Sequence, residues 1–143
     1  MRALLDVNVL VALLDAAHVH HSLAAQWMDG AIDRGWASCP TTQLGCIRVM
    51  SQPAYPNSQP VAQVAARLAE ATRSRHHEFW GDSLDALQSP ALHWPAVLTS
   101  RHVTDVYLLA LAVARGARFV TFDRHVPLAA VGDAAPEHLL VLQ

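Results

Sequence analysis

The chain begins with an apolar run, RALLDVNVLVALLD, that an aspartate interrupts at position 6. A signal peptide needs an unbroken apolar stretch, and a membrane span needs about 20 apolar residues with few charges. Asp6, Asn8 and Asp15 argue against both for this segment. We interpret RALLD as a short buried strand that carries Asp6 to the edge of a sheet, followed by a helix that Asn8 caps.

The composition is that of a globular protein with a modest surface charge. The chain has 143 residues, is 52% hydrophobic and 15% charged, and carries a net charge of −2. We expect a single domain over residues 1–143, in which any contact with nucleic acid depends on local arginines. Cys39 and Cys46 fit a reduced, cytoplasmic protein and are expected to be buried.

All ten basic residues are arginine, because the chain contains no lysine. P-loop phosphate binding and Schiff-base catalysis both need a lysine amine and are therefore excluded. Phosphatases of the haloacid dehalogenase type need a lysine as well, and they need a second aspartate where this chain has Asn8.

Predicted strands alternate with predicted helices along the chain. Apolar periodicity predicts helices in HVHHSLAAQWMDGAIDR, TTQLGCIRVMSQ, VAQVAARLAEATRSR and VTDVYLLALAVARGA, and strands in WASC, EFW, RFVTFD and HLLVLQ. Thr41 or Thr42 is the expected cap of the TTQLGC helix. Thr104 or Ser100 is the expected cap of the VTDVYLL helix, which Gly116 closes. This alternation predicts an α/β sandwich with a parallel sheet.

Three aspartates occupy similar positions, at the ends of strands or the start of a helix, in the predicted fold. Asp6 and Asp123 each end a strand, and Asp105 lies in the first turn of a helix, where the helix dipole favours the ionised carboxylate. Ligand sites of open α/β sheets form at the carboxyl ends of the strands. Three carboxylates at one edge would repel each other unless a cation lay between them, and oxygen ligands without sulfur favour Mg²⁺ or Mn²⁺. Such ions typically serve phosphoryl chemistry.

The segments LLDVNVLVALL, VTDVYLLALAVARGA and RFVTFD together resemble the PIN-domain ribonucleases, specifically the VapC toxins of bacterial toxin–antitoxin pairs. The resemblance covers nearly the whole chain in the family's order. It implies a PIN-like three-layer sandwich, in which helices flank a short, mainly parallel central sheet. It also implies that Asp6, Asp105 and Asp123 bind the metal and that Asn8 and Thr121 support these ligands.

The activity expected from this resemblance is endonucleolytic hydrolysis of a structured RNA such as tRNA or rRNA. Attack by water would leave a 5′-phosphate and a 3′-hydroxyl. The implied partners are a VapB-type antitoxin and a second copy of the chain in a homodimer, with no membrane.

The third helix departs from the family pattern. The family usually has a glutamate three residues before an arginine there, and counting back from Arg48 gives Gly45. Gln43, Asp82 and Asp85 are the candidates to replace this carboxylate. Without a replacement, the alternative function is a catalytically weakened PIN-like protein that binds RNA or a partner.

Histidines, arginines and tryptophans supply further candidates. Zinc is disfavoured, because the histidine clusters lack the spacing of zinc ligands; they are His18, His20, His21, His76 and His77. RNA contact is the lesser alternative for His102 and His125, which lie close in the sequence to Asp105 and Asp123. Arg101, Arg118 and Arg124 flank the same two aspartates and would supply the positive charge that RNA binding needs, but an arginine in such a place is more often a solvated surface residue. Trp80 and Trp94 are expected to pack in the core, with base stacking as the alternative.

Overall fold

The structure, a computed structural model that describes residues 1–143, is an α/β sandwich built on a five-stranded sheet. All pairings within the sheet are parallel, and the strand order is β3-β2-β1-β4-β5. The predicted fold class is therefore confirmed. The strands are β1 (Ala3–Leu5), β2 (Trp36–Ser38), β3 (His77–Phe79), β4 (Arg118–Thr121) and β5 (Leu139–Val141). The helices are α1 (Val7–Leu14), α2 (His21–Ala31), α3 (Pro40–Ser51), α4 (Val61–Ala71) and α5 (Val103–Ala114).

Strands β1 and β4 form the centre of the sheet, and their side chains alternate between two hydrophobic layers. Leu4 and Phe119 belong to the layer that contains α5, whereas Leu5 and Val120 belong to the layer that contains α1, α3 and α4. Both faces are covered, which explains why the two strands are continuous apolar runs. None of the five α-helices combines the length and the apolar content of a membrane span.

The register of β1 and β4 places their carboxyl ends side by side. Leu5 pairs with Val120, so Asp6 and Thr121 follow at the same edge of the sheet. Both segments are short, and each ends where a polar side chain replaces the apolar run. The pairing therefore brings together two residues that are 115 positions apart in the chain.

The first helix begins two residues earlier than predicted. Asp6, not Asn8, is its N-cap, because the Asp6 carboxylate accepts a hydrogen bond from the backbone N–H of Val7 at 2.7 Å. Asn8 lies exposed inside the first turn of α1. The prediction that Asn8 caps this helix was wrong, since the strand's own terminal aspartate satisfies the free N–H group.

The predicted caps of two later helices were also wrong. The N-cap of α3 is Cys39, and the Thr42 hydroxyl accepts from the Cys39 N–H at 3.0 Å inside the first turn. Helix α5 begins at Val103 after a 3₁₀ turn over Ser100–His102, so neither Thr104 nor Ser100 caps it. Its end was predicted correctly, because Gly116 adopts a positive φ of 64° just beyond it.

Helices α1 and α3 approach each other closely at Gly45. A Cβ atom at this position would lie 2.6 Å from Cγ2 of Val7, well inside van der Waals contact. The residue that departs from the family pattern is therefore a packing position between two helices. Both cysteines are fully buried, as predicted.

We expect Gly45→Ala to lower the free energy of unfolding by about 1–3 kcal/mol, because the added methyl group overpacks the contact with Val7. Urea unfolding monitored by circular dichroism measures this change. Gly30→Ala in α2 is the matched control, since a Cβ there meets nothing within 4 Å and should stabilise the helix by about 0.5–1 kcal/mol. A loss of equal size in the Val7→Ala background would show that Val7 is not the cause.

Candidate active site

Asp6 is a buried carboxylate held from two sides at the carboxyl end of β1. Only 7% of the residue is exposed. One carboxylate oxygen accepts from the Val7 N–H, and the other accepts from the Thr121 hydroxyl at 2.7 Å. Both oxygens are therefore oriented before any ligand binds.

Thr121 joins two of the predicted aspartates through a single hydroxyl. The hydroxyl donates to Asp6 and accepts from the backbone N–H of Asp123 at 3.1 Å. The residue is fully buried, so this hydroxyl is used within the protein. A polar residue at the end of β4 was expected to support the aspartates, and its contacts are those of a positioning residue.

Asp105 is the aspartate with the most strongly shifted pKa. Burial, together with the charges of Asp6 and Asp123, raises the pKa of Asp105 to about 6. We had expected its place in the first turn of α5 to favour ionisation. The structure corrects this expectation, because removal from water and like charges outweigh the helix dipole.

The other two aspartates shift in opposite directions. Burial raises the pKa of Asp6, and Asp123 adds to this, although the bond from Thr121 opposes it. Burial also acts on Asp123, but the His125 backbone N–H and His102 outweigh it and hold the pKa of Asp123 below its ordinary value. Because only Asp123 has a lowered pKa, it is the most readily ionised of the three aspartates.

The aspartates line one open cavity of about 290 Å³, which we call the acidic cavity. Four of the five predicted site residues line it, and the fifth, Thr121, lies directly beneath. The lining residues are Asp6, Asn8, Arg101, Asp105, Phe122 and Asp123. The structure therefore brings together the five residues that the sequence assigned to the metal and its support.

His102 belongs to this site in a way that the sequence did not reveal. Its Nε2 lies 3.1 Å from Oδ2 of Asp123, and the residue is only 8% exposed. Ligand atoms of His102, Asp105 and Asp123 all lie within 4.8 Å of one another. RNA contact by His102, the lesser alternative in the sequence analysis, does not fit its burial and its contact with Asp123. Its spacing of three residues before Asp105 was the available signal, since such residues share a helix face.

One of the three nearby arginines reaches the acidic cavity. Arg101 lines it, and its guanidinium lies 3.5 Å from Oδ2 of Asp123. Arg118 does not reach this edge, because it begins β4, about 10 Å from the strand's carboxyl end. Arg124 is exposed on the turn after Asp123.

The candidates for a further carboxylate lie outside the acidic cavity. Gln43 donates its side-chain amide to Ser38 at 3.0 Å. Asp82 accepts from the Thr41 hydroxyl at 2.7 Å, and Asp85 caps a turn. The cavity therefore holds three carboxylates and the imidazole of His102 beside them.

The other histidines form no further metal-binding group. His102, Asp105 and Asp123 are the one set of at least three ligating side chains that meets in the structure. His21 contacts the Ala12 carbonyl oxygen through Nδ1 at 2.7 Å, and His77 contacts the Ser38 hydroxyl through Nε2 at 2.8 Å.

The donor set of the acidic cavity suits a hard divalent cation. Converging carboxylate oxygens are the ligands that Mg²⁺ and Mn²⁺ prefer. Burial, together with the neighbouring carboxylates, raises the pKa values of Asp6 and Asp105, so both groups would gain from a further positive charge. A cation among them would supply it, and Arg101 at the rim would attract an anionic substrate.

Comparison with known proteins agrees with this geometry. The PIN domain family matches residues 3–133. Ribonuclease VapC44 of Mycobacterium tuberculosis (strain ATCC 25618 / H37Rv) is 52% identical over 142 residues, covering 99% of this chain and 100% of the relative. Ribonuclease VapC39 of the same strain is 40% identical over 141 residues, with 98% of each chain covered.

A solved structure shares the fold at low sequence identity. The crystal structure of Mycobacterium tuberculosis VapC20, described as a Sarcin-Ricin loop cleaving toxin, superposes with a TM-score of 0.64 at 14% identity. The match covers 94% of this chain and 99% of that one. This likeness concerns the fold. The family match over residues 3–133 and the two full-length relatives show that the chain belongs to the PIN-domain family, as a VapC-type toxin.

Proposed function

We propose that the protein is a metal-dependent endoribonuclease, the toxin of a VapBC-type toxin–antitoxin pair. The observation that carries this proposal is the convergence of Asp6, Asp105 and Asp123 on one open cavity. Full-length similarity to proteins named ribonucleases supports RNA as the substrate. The acidic edge alone is compatible with other phosphoryl chemistry.

Asp6, Asp105 and Asp123 would hold Mg²⁺ or Mn²⁺ in this mechanism. When bound, the ion supplies Lewis-acid stabilisation of charge on the phosphodiester. Thr121 and the Val7 N–H keep the Asp6 oxygens aimed at the cavity, and His102 does the same for Asp123. These contacts fix the carboxylates before substrate arrives.

The remaining polar groups of the acidic cavity would act on the substrate. The Arg101 guanidinium would bind a phosphate oxygen, and the Asn8 amide would orient the phosphate or the water. The products would carry a 5′-phosphate and a 3′-hydroxyl.

The biological setting follows from the family. The substrate would be a structured RNA such as tRNA or rRNA, and a VapB-type antitoxin would block the acidic cavity. We also propose a homodimer and a cytoplasmic location. Exposed apolar side chains such as Leu44 and Val61 offer a surface for such assembly.

A catalytically weakened RNA- or partner-binding protein is the second candidate. The observation that favours it is the absence of a further carboxylate from the acidic cavity, since Gln43, Asp82 and Asp85 lie elsewhere. Metal-dependent turnover separates the two candidates.

We expect purified, antitoxin-free protein to cleave a total tRNA pool in Mg²⁺ or Mn²⁺ and to be inactive in EDTA. Asp6→Asn and Asp105→Asn should each reduce cleavage at least about 100-fold, because each removes a charge that stabilises the transition state. Gel electrophoresis with end-group analysis measures both the rate and the 5′-phosphate. Glu70→Gln, an exposed change on α4, is the matched control. Folded wild-type protein that binds RNA without cutting it would favour the second candidate.

We expect Thr121→Val to weaken Mn²⁺ binding and cleavage by about 10–100-fold, because the Asp6 oxygen loses the donor that orients it. The unpaired oxygen should also lower the free energy of unfolding by about 1–3 kcal/mol. Thr121→Ser keeps the hydroxyl and should restore most of the metal affinity, measured by calorimetry. Equal losses in the valine and serine variants would contradict a role for the hydroxyl.

We expect Asp105→Asn to stabilise the metal-free protein at pH 7.5 but not at pH 4. The pKa of Asp105 is about 6 in the folded protein against an ordinary value of 3.8, so ionisation opposes folding increasingly as pH rises through this window. The gain at pH 7.5 should be about 1 kcal/mol after solvent screening, or about 3 °C in Tm.

Thermal unfolding in EDTA at the two pH values measures this gain. Added Mg²⁺ should reverse the order at pH 7.5, because the ion binds the wild-type carboxylates more tightly. If Asp105→Asn is no more stable than wild type in EDTA at pH 7.5, ionisation of Asp105 does not oppose folding and the prediction is wrong.

A further inference from the structure

We propose that a second cavity, beside the acidic cavity, binds an unpaired base of the RNA next to the bond that is cut. This inference rests on the proposed function and names a specificity site for it. The second cavity, which we call the side cavity, has a volume of about 430 Å³. Its polar and aromatic lining consists of Thr41, Asp82, Trp94, Thr104 and Tyr107.

The side cavity adjoins the acidic cavity through the first turn of α5. Thr104 lines the side cavity, and the next residue, Asp105, lines the acidic cavity. Asp82 and Thr41 follow β3 and β2 at the same carboxyl edge of the sheet. An RNA strand whose phosphate occupies the acidic cavity therefore has the side cavity within reach of an adjacent nucleotide.

A polar pair in the side cavity can read the edge of a base. Oδ2 of Asp82 accepts from the Thr41 hydroxyl at 2.7 Å, and Asp82 is exposed, so its carboxylate is accessible to a ligand. A carboxylate accepts N–H donors and repels phosphate, so it selects a base edge over the backbone. Guanine offers N1–H and N2–H side by side, the arrangement that suits a carboxylate best.

Two aromatic residues, Trp94 and Tyr107, line the side cavity, and the polar atom of each is already hydrogen-bonded within the protein. The Trp94 Nε1–H donates to the Ala86 carbonyl at 2.8 Å, and the Tyr107 hydroxyl donates to the Leu84 carbonyl at 3.0 Å. These bonds hold both rings against the segment that follows Asp82. Stacking on such rings is the usual way in which proteins bind splayed-out RNA bases.

Fluorescence anisotropy with labelled heptamers 5′-UUUXUUU-3′ tests the inference, where X is A, C, G, U or an abasic site. The protein is the Asp105→Asn variant in Mg²⁺, so that RNA binds without being cut. We expect X = G to bind about 10-fold more tightly than the abasic heptamer. Asp82→Asn should abolish this preference, and Trp94→Ala should weaken every heptamer with a base at X by about 10-fold relative to the abasic one.

The controls separate this inference from misfolding and from the proposed function. Affinity for the abasic heptamer should be unchanged in Asp82→Asn and Trp94→Ala, and Glu70→Gln should retain the full preference. Equal binding of all heptamers, or a guanine preference that survives Asp82→Asn, would overturn the inference even if wild-type protein cleaves tRNA. If Asp82→Asn loses metal binding, the inference is overturned, because Asp82 would then be a metal ligand. If Asp82→Asn and Trp94→Ala lose antitoxin binding but keep unchanged RNA binding, the inference is overturned, because the side cavity would then bind a protein partner.

Discussion

The hydrogen bond between the Thr121 hydroxyl and the Asp6 carboxylate is the interaction on which the site depends. It joins the carboxyl ends of the two central strands and is fully enclosed by the protein. The same carboxylate caps α1, and the same hydroxyl anchors the backbone of Asp123. One buried contact therefore sets the sheet edge, the start of a helix and the spacing of two carboxylates. An unpaired oxygen at this depth would be costly, so the geometry is strongly enforced.

The acidic cavity brings three carboxylates together in a partly buried place, which is unfavourable for the stability of the fold. Burial and mutual repulsion raise the pKa values of Asp6 and Asp105, so their ionised forms oppose folding near neutral pH. Arg101 and His102 compensate mainly Asp123, the one aspartate of the acidic cavity whose pKa is lowered. The cluster is thus preorganised for a cation at some expense in stability, a trade often found at functional sites.

The carboxyl edge of the sheet carries two adjoining cavities with different chemistry. The acidic cavity presents carboxylates to a cation and a phosphate, whereas the side cavity combines one carboxylate with aromatic surfaces. Helix α5 separates them with consecutive residues, Thr104 and Asp105. In the proposed function, catalysis and base preference would therefore lie on neighbouring faces of one helical turn. Gly45 contributes to neither cavity, because its role is the close packing of α1 and α3.

The sequence by itself determined the alternation of strands and helices and the identity of the three aspartates. Short apolar runs ended by aspartate have few other structural solutions, and parallel strands bring their carboxyl ends to one edge. Only the tertiary structure decided which carboxylates would be buried, that Asp6 and not Asn8 caps α1, and that His102 contacts Asp123. It also separated Arg118 from the site and placed Asp82 in another cavity. These outcomes depend on contacts between residues far apart in the chain, which local periodicity and capping preferences do not encode.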